Sequence, residues 1–138
     1  MTVAVAGSWE LGYSAPLTER DLWAYPLREY GVDEWIMAPV SGIQDPLLTE
    51  VDDLGPLVAD TELTVVFVDE HGTTELAEFV HPPDALYVCG KASFSSLAAY
   101  GMDGDVSVRI ATPRASGMLW PHQAICLVLA DRMVKSWR

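Results

Sequence analysis

The residues best suited to chemistry lie in the last third of the sequence. Arg114 belongs to the polar stretch TPRASG, and His122 follows a proline at the start of a predicted helix. A neutral imidazole can take a proton from a weakly acidic group, and a guanidinium can stabilise the anion that results. Arg114 and His122 are therefore the predicted catalytic residues. The structural alternatives are a solvated arginine and a histidine that is solvated or caps its helix.

A second group of residues is predicted to contact ligands. Gly90 ends the apolar run LYVC, where a residue without a side chain lets a ligand approach the backbone. Lys91 follows it and can meet a phosphate or a carboxylate, and Trp120 can stack on a base. We assign Lys91 and Trp120 to substrate binding. The alternatives are a plain turn glycine, a solvated lysine and a core tryptophan.

Two carboxylates and two further histidines give weaker signals. Glu19 and Asp21 lie in the first turns of a predicted helix, where a carboxylate normally does no more than stabilise the helix dipole. His71 and His81 have no partner that the sequence identifies.

Strands and helices alternate along the chain, and this order determines where those residues lie. Apolar runs predict strands at residues 2–6, 34–38, 63–68, 86–89 and 106–110. Helices are predicted at residues 18–30, 47–54, 74–80 and 122–136. Such alternation is typical of an α/β fold, a mostly parallel sheet covered by helices on both faces. Ligands bind such sheets at the carboxyl ends of the strands, here the loops after Val68, Cys89 and Ile110.

Local signals predict the helix ends. Thr18 and Asp21 form a capping-box pattern, and Gly31 provides a stop. Pro26 lies inside that helix and should bend it or delay its start. In the last helix, residues 124–130 are apolar nearly all round, so we expect burial on more than one side.

The composition suits one soluble domain over residues 1–138. No apolar run is long enough to cross a bilayer, and the N-terminus lacks the basic segment of a signal peptide, so a cytoplasmic location is expected. Cys89 and Cys126 each sit in an apolar run. They are expected to be buried thiols, and neither a disulfide nor a zinc site is predicted.

Charge is divided unevenly along the chain, whose net charge is −12. Residues 1–90 contain 2 basic and 17 acidic side chains, whereas residues 91–138 contain 6 basic and 3 acidic ones. An anionic ligand is therefore expected to contact the C-terminal third. The alternative is that the acidic and basic residues, although separated along the sequence, are not separated on the folded surface.

Three stretches, in this order, resemble the SPOUT RNA methyltransferases of the SpoU/TrmH type. REYGVDEWIMAPVSG at residues 28–42 is similar to the family's passage from the first helix into the second strand. DALYVCGKASFSSL at residues 84–97 is similar to a strand that ends in a glycine loop. VSVRIATPRASGMLWPHQAICLVLADRM at residues 106–133 is similar to the last strand with the closing helix.

The resemblance implies an α/β knot, in which the C-terminal helix passes through a loop to form a trefoil knot, and it implies a homodimer. It also implies that S-adenosylmethionine is held largely by backbone groups of three loops. Carried over to this chain, the cofactor-binding residues are Val68, Gly90, Ile110, Met118 and Leu119. RNA, bound through the C-terminal third, is the implied substrate.

The chain departs from the family at four positions that place and activate the ribose. Glu19 stands where an asparagine is expected and Tyr25 where an arginine is expected. Ala92 replaces a glutamate, and Trp120 replaces a second asparagine. A ribose hydroxyl is a very weak acid and needs a base or a cation to react, so the family's own mechanism is not expected here.

Three functions follow as hypotheses. The first is an S-adenosylmethionine-binding RNA methyltransferase, acting on tRNA or rRNA, with changed catalytic residues. The second is a catalytically inactive SPOUT-fold protein that acts through binding. The third is an unrelated flavodoxin-like or Rossmann-like domain, which the lack of a glycine-rich phosphate motif disfavours.

Overall fold

A computed structural model describes residues 1–12, 15–90, 106–114 and 119–137. The strands are β1 Val3–Ser8, β2 Glu34–Ala38, β3 Leu48–Glu50, β4 Thr64–Val68, β5 Thr74–Glu75, β6 Ala85–Cys89 and β7 Ser107–Arg109. The helices are α1 Pro16–Glu29, α2 Gly55–Asp60 and α3 Pro121–Ser136, with a 3₁₀ turn at Leu76–Glu78.

The seven strands form one parallel sheet in the order β3-β2-β1-β6-β4-β7-β5. The central strand β6 is buried along its whole length between β1 and β4. A strand that is covered on both faces needs apolar residues at every position, and its sequence ALYVC meets that need. The predicted parallel α/β sheet is confirmed.

The two faces of the sheet carry separate cores. On one face α1 and α3 pack against the buried side chains of Val5, Trp35 and Tyr87. On the other face α2 packs against the alternate positions of the same strands, including Ala4 and Leu86. Because side chains alternate along a strand, one short run supplies both cores.

The first helix begins earlier than predicted. It starts at Pro16, with Ala15 at the N-cap and no side-chain cap, so the expected cap by Thr18 is wrong. Proline already has the helical φ and lacks only an N–H that would be unpaired in a first turn. Pro26 is accommodated inside the helix, and Gly31 follows the helix end with φ of 68°.

Two predicted helices are absent or displaced. Residues 47–54 contain the edge strand β3, and the helix follows it, starting at Gly55 with Pro56 in its first turn. Residues 74–80 contain β5 and a 3₁₀ turn in place of an α-helix. Both strands lie at sheet edges, where pairing is made by backbone groups that leave little trace in the side-chain pattern.

The expectation that the last helix is buried on more than one side is also wrong. Ile125, Val128 and Leu129 pack into the core, whereas Leu127 and Val134 are exposed. Apolar residues on the outer side of α3 therefore remain in contact with solvent. No helix in the described part of the chain has the length and apolar character needed to cross a membrane.

The two cysteines differ in exposure. Cys89 is buried at the end of β6, and burial raises the pKa of its thiol to about 12. Cys126 lies on the flank of α3 and is only partly buried, so the expectation of two buried thiols is wrong for this residue. Both are free, as predicted.

Candidate functional site

Three strands end side by side at the carboxyl edge of the sheet. Val68 of β4 pairs with Cys89 of β6 on one side and with Val108 of β7 on the other. Gly90 follows β6 directly and is partly buried, and Ile110 follows β7. The structure thus brings together the starts of the three loops that the sequence assigned to a cofactor.

The loop after β4 is packed tightly against β7. A Cβ atom added to Gly72 would lie 2.5 Å from the carbonyl carbon of Val108, so any side chain there would force the two backbones apart. Buried Asp69 holds the turn, since its carboxylate accepts a hydrogen bond of 2.8 Å from the backbone N–H of His71. These contacts determine the position of the loop beside the strand ends.

The remaining predicted ligand contacts are only partly described. Leu119 and Trp120 precede α3 and are partly buried, whereas Arg114 is exposed in a turn. Lys91 and Met118 lie outside the described residues.

A pair of buried carboxylates lies where β1 runs toward α1, and the sequence analysis did not identify it as a site. Glu10 is 6% exposed and Glu19 is 2% exposed. One carboxylate oxygen of Glu19 accepts hydrogen bonds from the backbone N–H of Glu10, at 3.1 Å, and from the indole N–H of Trp23, at 3.4 Å. Glu19 lies in the first turn of α1, where it was expected to do no more than stabilise the helix dipole, but it is also buried and hydrogen-bonded.

His122 lies beside this pair, in the first turn of α3. Its ring meets Trp23 edge-on with centroids 6.3 Å apart, and it stacks on Trp120 at 6.1 Å with 14° between the planes. Burial lowers the pKa of His122, and the negative charges of Glu19 and Glu10 oppose that change without cancelling it. The imidazole is thus neutral near pH 7 and able to accept a proton.

A glycine makes room for this arrangement. A Cβ atom at Gly7 would lie 2.7 Å from Cη2 of Trp23 and 3.3 Å from the sulfur of Met37. Gly7 therefore allows the indole of Trp23 to lie across the end of β1. We call the five residues Glu10, Glu19, Trp23, Trp120 and His122 the α1–α3 cluster.

A neighbouring loop is fixed by Glu50. Its carboxylate accepts hydrogen bonds from the indole N–H of Trp9, at 2.6 Å, and from the backbone N–H groups of Ser41 and Gly42, both at 3.0 Å. Burial raises the pKa of Glu50, but these hydrogen bonds and the one from the Ser41 hydroxyl outweigh that effect, so the pKa lies below its ordinary value.

An open cleft of about 420 Å³ lies between this loop and α1, lined by Pro16, Leu17, Arg20, Ser41, Gly42, Ile43 and Gln44.

Half of the basic residues expected to meet an anionic ligand are used inside the fold. Arg109 donates to the carbonyl oxygen of Gly72 at 2.9 Å. Arg132 donates to the carbonyl oxygens of Pro82 and Pro83, at 2.6 and 2.9 Å. Lys135 is likewise bonded to carbonyl oxygens of residues 76 and 79. Within the described residues, less positive charge is therefore left for an anionic ligand than the sequence predicted.

His81 is the centre of a second cluster that sequence reasoning missed. Its Nδ1 lies 2.7 Å from the hydroxyl of Tyr87, and its Nε2 lies 2.7 Å from the carboxylate of Asp131. Arg132 donates to the same hydroxyl at 3.0 Å, and Lys135 pairs with Asp131 at 2.8 Å. We call these five residues the His81 clamp, because they fasten α3 to β6 and to the segment before it. No local signal predicts contacts that join residues 50 positions apart.

No group of three or more His, Cys, Asp or Glu side chains within the described ranges has the geometry of a metal site. Neither the α1–α3 cluster nor the His81 clamp is therefore a metal centre in this geometry. The chemistry open to the carboxyl edge is proton transfer and ligand binding by backbone groups and aromatic rings.

No protein-family model and no curated protein matches the sequence. Solved structures do match. AviRb, a SpoU methyltransferase from Streptomyces viridochromogenes in complex with AdoMet, superposes with a TM-score of 0.78 at 16% identity, over 99% of this chain and 58% of that one. An RNA 2′-O ribose methyltransferase superposes with a TM-score of 0.74 at 14% identity, over 99% of this chain and 57% of that one.

The fold is that of the SpoU-type RNA methyltransferases. The resemblance inferred from the three sequence stretches is thereby confirmed at the level of the fold. A third match, a structure on the 2-OH methylation of C/U34 on tRNA, has a TM-score of 0.71 at 11% identity and covers 99% of this chain and 92% of that one. The chain spans about three fifths of the first two relatives and nearly all of the third.

Proposed function

We propose that this chain is a cytoplasmic enzyme that binds S-adenosylmethionine and transfers its methyl group to RNA, either tRNA or rRNA. The observation that carries the proposal is the coincidence of a SpoU-type fold with a neutral, half-buried imidazole at His122. The names of the structural relatives support RNA as the substrate class.

The residues at the strand ends fit the cofactor. Val68, Gly90 and Ile110 lie at the starts of three loops that follow neighbouring strands, and a glycine has no side chain to keep a ligand from its backbone. With Leu119 and Met118 they would hold S-adenosylmethionine through backbone groups. Binding of this kind does not depend on the side chains that the chain has lost.

His122 is the proposed proton acceptor. When bound, S-adenosylmethionine would supply a methyl group on a positively charged sulfur and would leave as S-adenosylhomocysteine. The accepting hydroxyl gives its proton to the imidazole of His122, while Arg114 stabilises the oxygen as negative charge develops on it. Trp120 and Lys91 are the proposed contacts to base and phosphate. In this scheme His122 and Arg114 take over the roles of the family's asparagine and arginine, whose positions are occupied here by Glu19 and Tyr25.

A homodimer with a trefoil knot belongs to the same proposal. Apolar side chains are exposed on the two helices that pack together, namely Leu22 and Tyr25 on α1 and Leu127, Met133 and Val134 on α3. A second copy that covers these residues would remove them from water. Sedimentation analysis should show a dimer, and Val134→Glu should shift it toward monomer. A crystal structure that traces the chain from β6 to α3 tests the knot.

An inactive binding protein is the second candidate. The internal use of Arg109, Arg132 and Lys135 favours it, because a protein that grips RNA normally leaves such side chains at its surface. In this case the chain would keep the fold and the cofactor pocket and act through protein contacts.

Cofactor binding is tested by calorimetry with S-adenosylmethionine. Gly90→Val adds a branched side chain directly after β6, at the proposed cofactor contact, and is expected to abolish binding. Gly12→Val is the matched control, since a Cβ atom at Gly12 meets nothing within 4 Å. Binding that survives Gly90→Val, or a wild type that does not bind, contradicts the proposed pocket.

Catalysis is tested by transfer of tritiated methyl from S-adenosylmethionine to total tRNA and rRNA. Label in RNA that is lost in Gly90→Val and kept in Gly12→Val supports the enzyme. Cofactor binding without transfer to either RNA pool favours the inactive binding protein.

A further inference from the structure

Glu19 is buried on the inner side of α1 within the α1–α3 cluster. At 2% exposure it is one of the most enclosed charged side chains in the described part of the chain. Its carboxylate accepts the indole N–H of Trp23, and the ring of Trp23 in turn lies edge-on against His122. A continuous set of contacts therefore runs from the carboxylate to the imidazole.

We propose that Glu19 is a positioning residue for His122: it holds Trp23 as the wall against which the imidazole lies, and it supplies the negative charge that stabilises the protonated ring. A buried carboxylate beside an imidazole orients it and favours its charged form. The inference deepens the proposed function, on which its catalytic consequence rests. Its electrostatic part stands independently of any methyl transfer.

The charged groups that act on His122 come from two elements. Glu19 lies on α1, and Glu10 lies in the segment after β1, with its backbone N–H bonded to the Glu19 carboxylate. Both charges raise the pKa of His122 against the effect of burial, which lowers it. Loss of the charge at Glu19 should therefore make His122 a weaker base.

The effect is measured by NMR titration of the histidine side chains in the full chain. Glu19→Gln keeps an oxygen that can accept the Trp23 N–H but removes the charge, and it should lower the titration midpoint of His122 by roughly 0.5–1 pH unit. Glu19→Asp restores the charge and should return the midpoint toward that of wild type. Glu29→Gln is the matched control on an exposed position of the same helix and should leave the midpoint unchanged.

His81 provides an internal control in the same spectra. Its ring nitrogens are bonded to Tyr87 and Asp131, so its titration should be the same in wild type and in Glu19→Gln. A midpoint of His122 that stays fixed or rises in a folded Glu19→Gln variant overturns the inference. An equal change at His81 would show a general loss of structure and would overturn it as well.

The rate profile separates this inference from the proposed function. If His122 is the base, the rate of methyl transfer should fall as the pH drops below the pKa of His122. Glu19→Gln should shift this acid limb of the pH–rate profile to lower pH and slow the reaction at high pH. A moved NMR midpoint without any methyl transfer supports the inference and contradicts the enzyme. Methyl transfer with an acid limb that Glu19→Gln does not move supports the enzyme and contradicts the inference.

Discussion

Two histidines lie at opposite ends of α3, and their surroundings differ: His122 belongs to the first turn of the helix, whereas His81 precedes β6 and contacts the C-terminal half of the helix. At the C-terminal half, both ring nitrogens of His81 are bonded, one to Tyr87 and one to Asp131. At the N-terminal end, His122 meets aromatic rings, and among the described residues neither of its nitrogens has a hydrogen-bond partner. A histidine whose nitrogens are both occupied is suited to fastening a fold, whereas one with an accessible nitrogen is suited to proton transfer.

The shared property of the two residues is their electrostatic response to burial. Burial lowers the pKa of each, and neighbouring carboxylates oppose the change in both cases. The pKa alone therefore does not distinguish structural from catalytic histidine, and the difference lies in hydrogen bonding. Substitution of the two histidines should therefore have different consequences.

The largest expected effect is on the rate of methyl transfer. His122→Asn removes the proposed proton acceptor and should slow transfer about 10²–10⁴-fold, the usual contribution of a general base. Stability to urea should change by no more than about 1 kcal/mol, since no described hydrogen bond is lost. Methyl transfer at the wild-type rate in His122→Asn would remove His122 from the mechanism.

The next largest effect is on stability, at the other end of the helix. His81→Leu deprives the Tyr87 hydroxyl and Asp131 of their bonds to the imidazole and should reduce the free energy of unfolding by about 2–4 kcal/mol, measured by urea denaturation. His71→Leu is the control, because His71 is exposed and should tolerate the change within about 0.5 kcal/mol. Equal stability of the two variants would show that the His81 clamp does not stabilise the fold.

A smaller effect is expected from the glycine beneath Trp23. Gly7→Ala places a methyl group 2.7 Å from the indole and should cost about 1–3 kcal/mol, because the ring must move. Displacement of Trp23 should alter the NMR titration of His122 and leave that of His81 unchanged. Gly12→Ala is the matched control. A stability equal to that of wild type would mean that the indole shifts freely.

The smallest effect is the dependence of stability on pH. Both histidines have a pKa lowered below the ordinary 6.5, so the unfolded chain binds protons first as the pH falls. Their contribution is fully present above pH 6.5 and is lost as the pH falls below it toward the lowered values. Urea denaturation at pH 8 and at pH 5.5 should show lower stability in acid, and the difference should shrink in His81→Leu. A stability that rises in acid contradicts the sign.

Much of the fold could be predicted from the sequence, because its central strands are buried on both faces. Such strands need an unbroken apolar run, and the runs at β2, β4 and β6 gave bounds within one residue of those observed. The edge strands β3 and β5 were predicted as helices. They are held by backbone pairing along one side, which imposes no side-chain pattern.

The candidate site was less predictable, because burial and long-range contacts decide it. His122 and the three strand ends could be found from their positions next to a proline, a glycine and apolar runs. The sequence predicts for Glu19 only the ordinary dipole-stabilising role of a first-turn carboxylate, whereas the structure shows it enclosed and bonded to the indole of Trp23. Asp131 is likewise an ordinary helix residue until His81 is placed beside it.

The stiffness of α3 links the two clusters. Its 16 residues form a rod about 24 Å long, with His122 in the first turn and Asp131 and Lys135 toward the other end. Because a rigid helix tilts as one unit, the His81 clamp at its C-terminal half also influences how deeply the imidazole of His122 is buried at the other end. A small molecule that separated Asp131 from His81 would therefore be expected to displace the proposed proton acceptor from a distance, without occupying the proposed cofactor site.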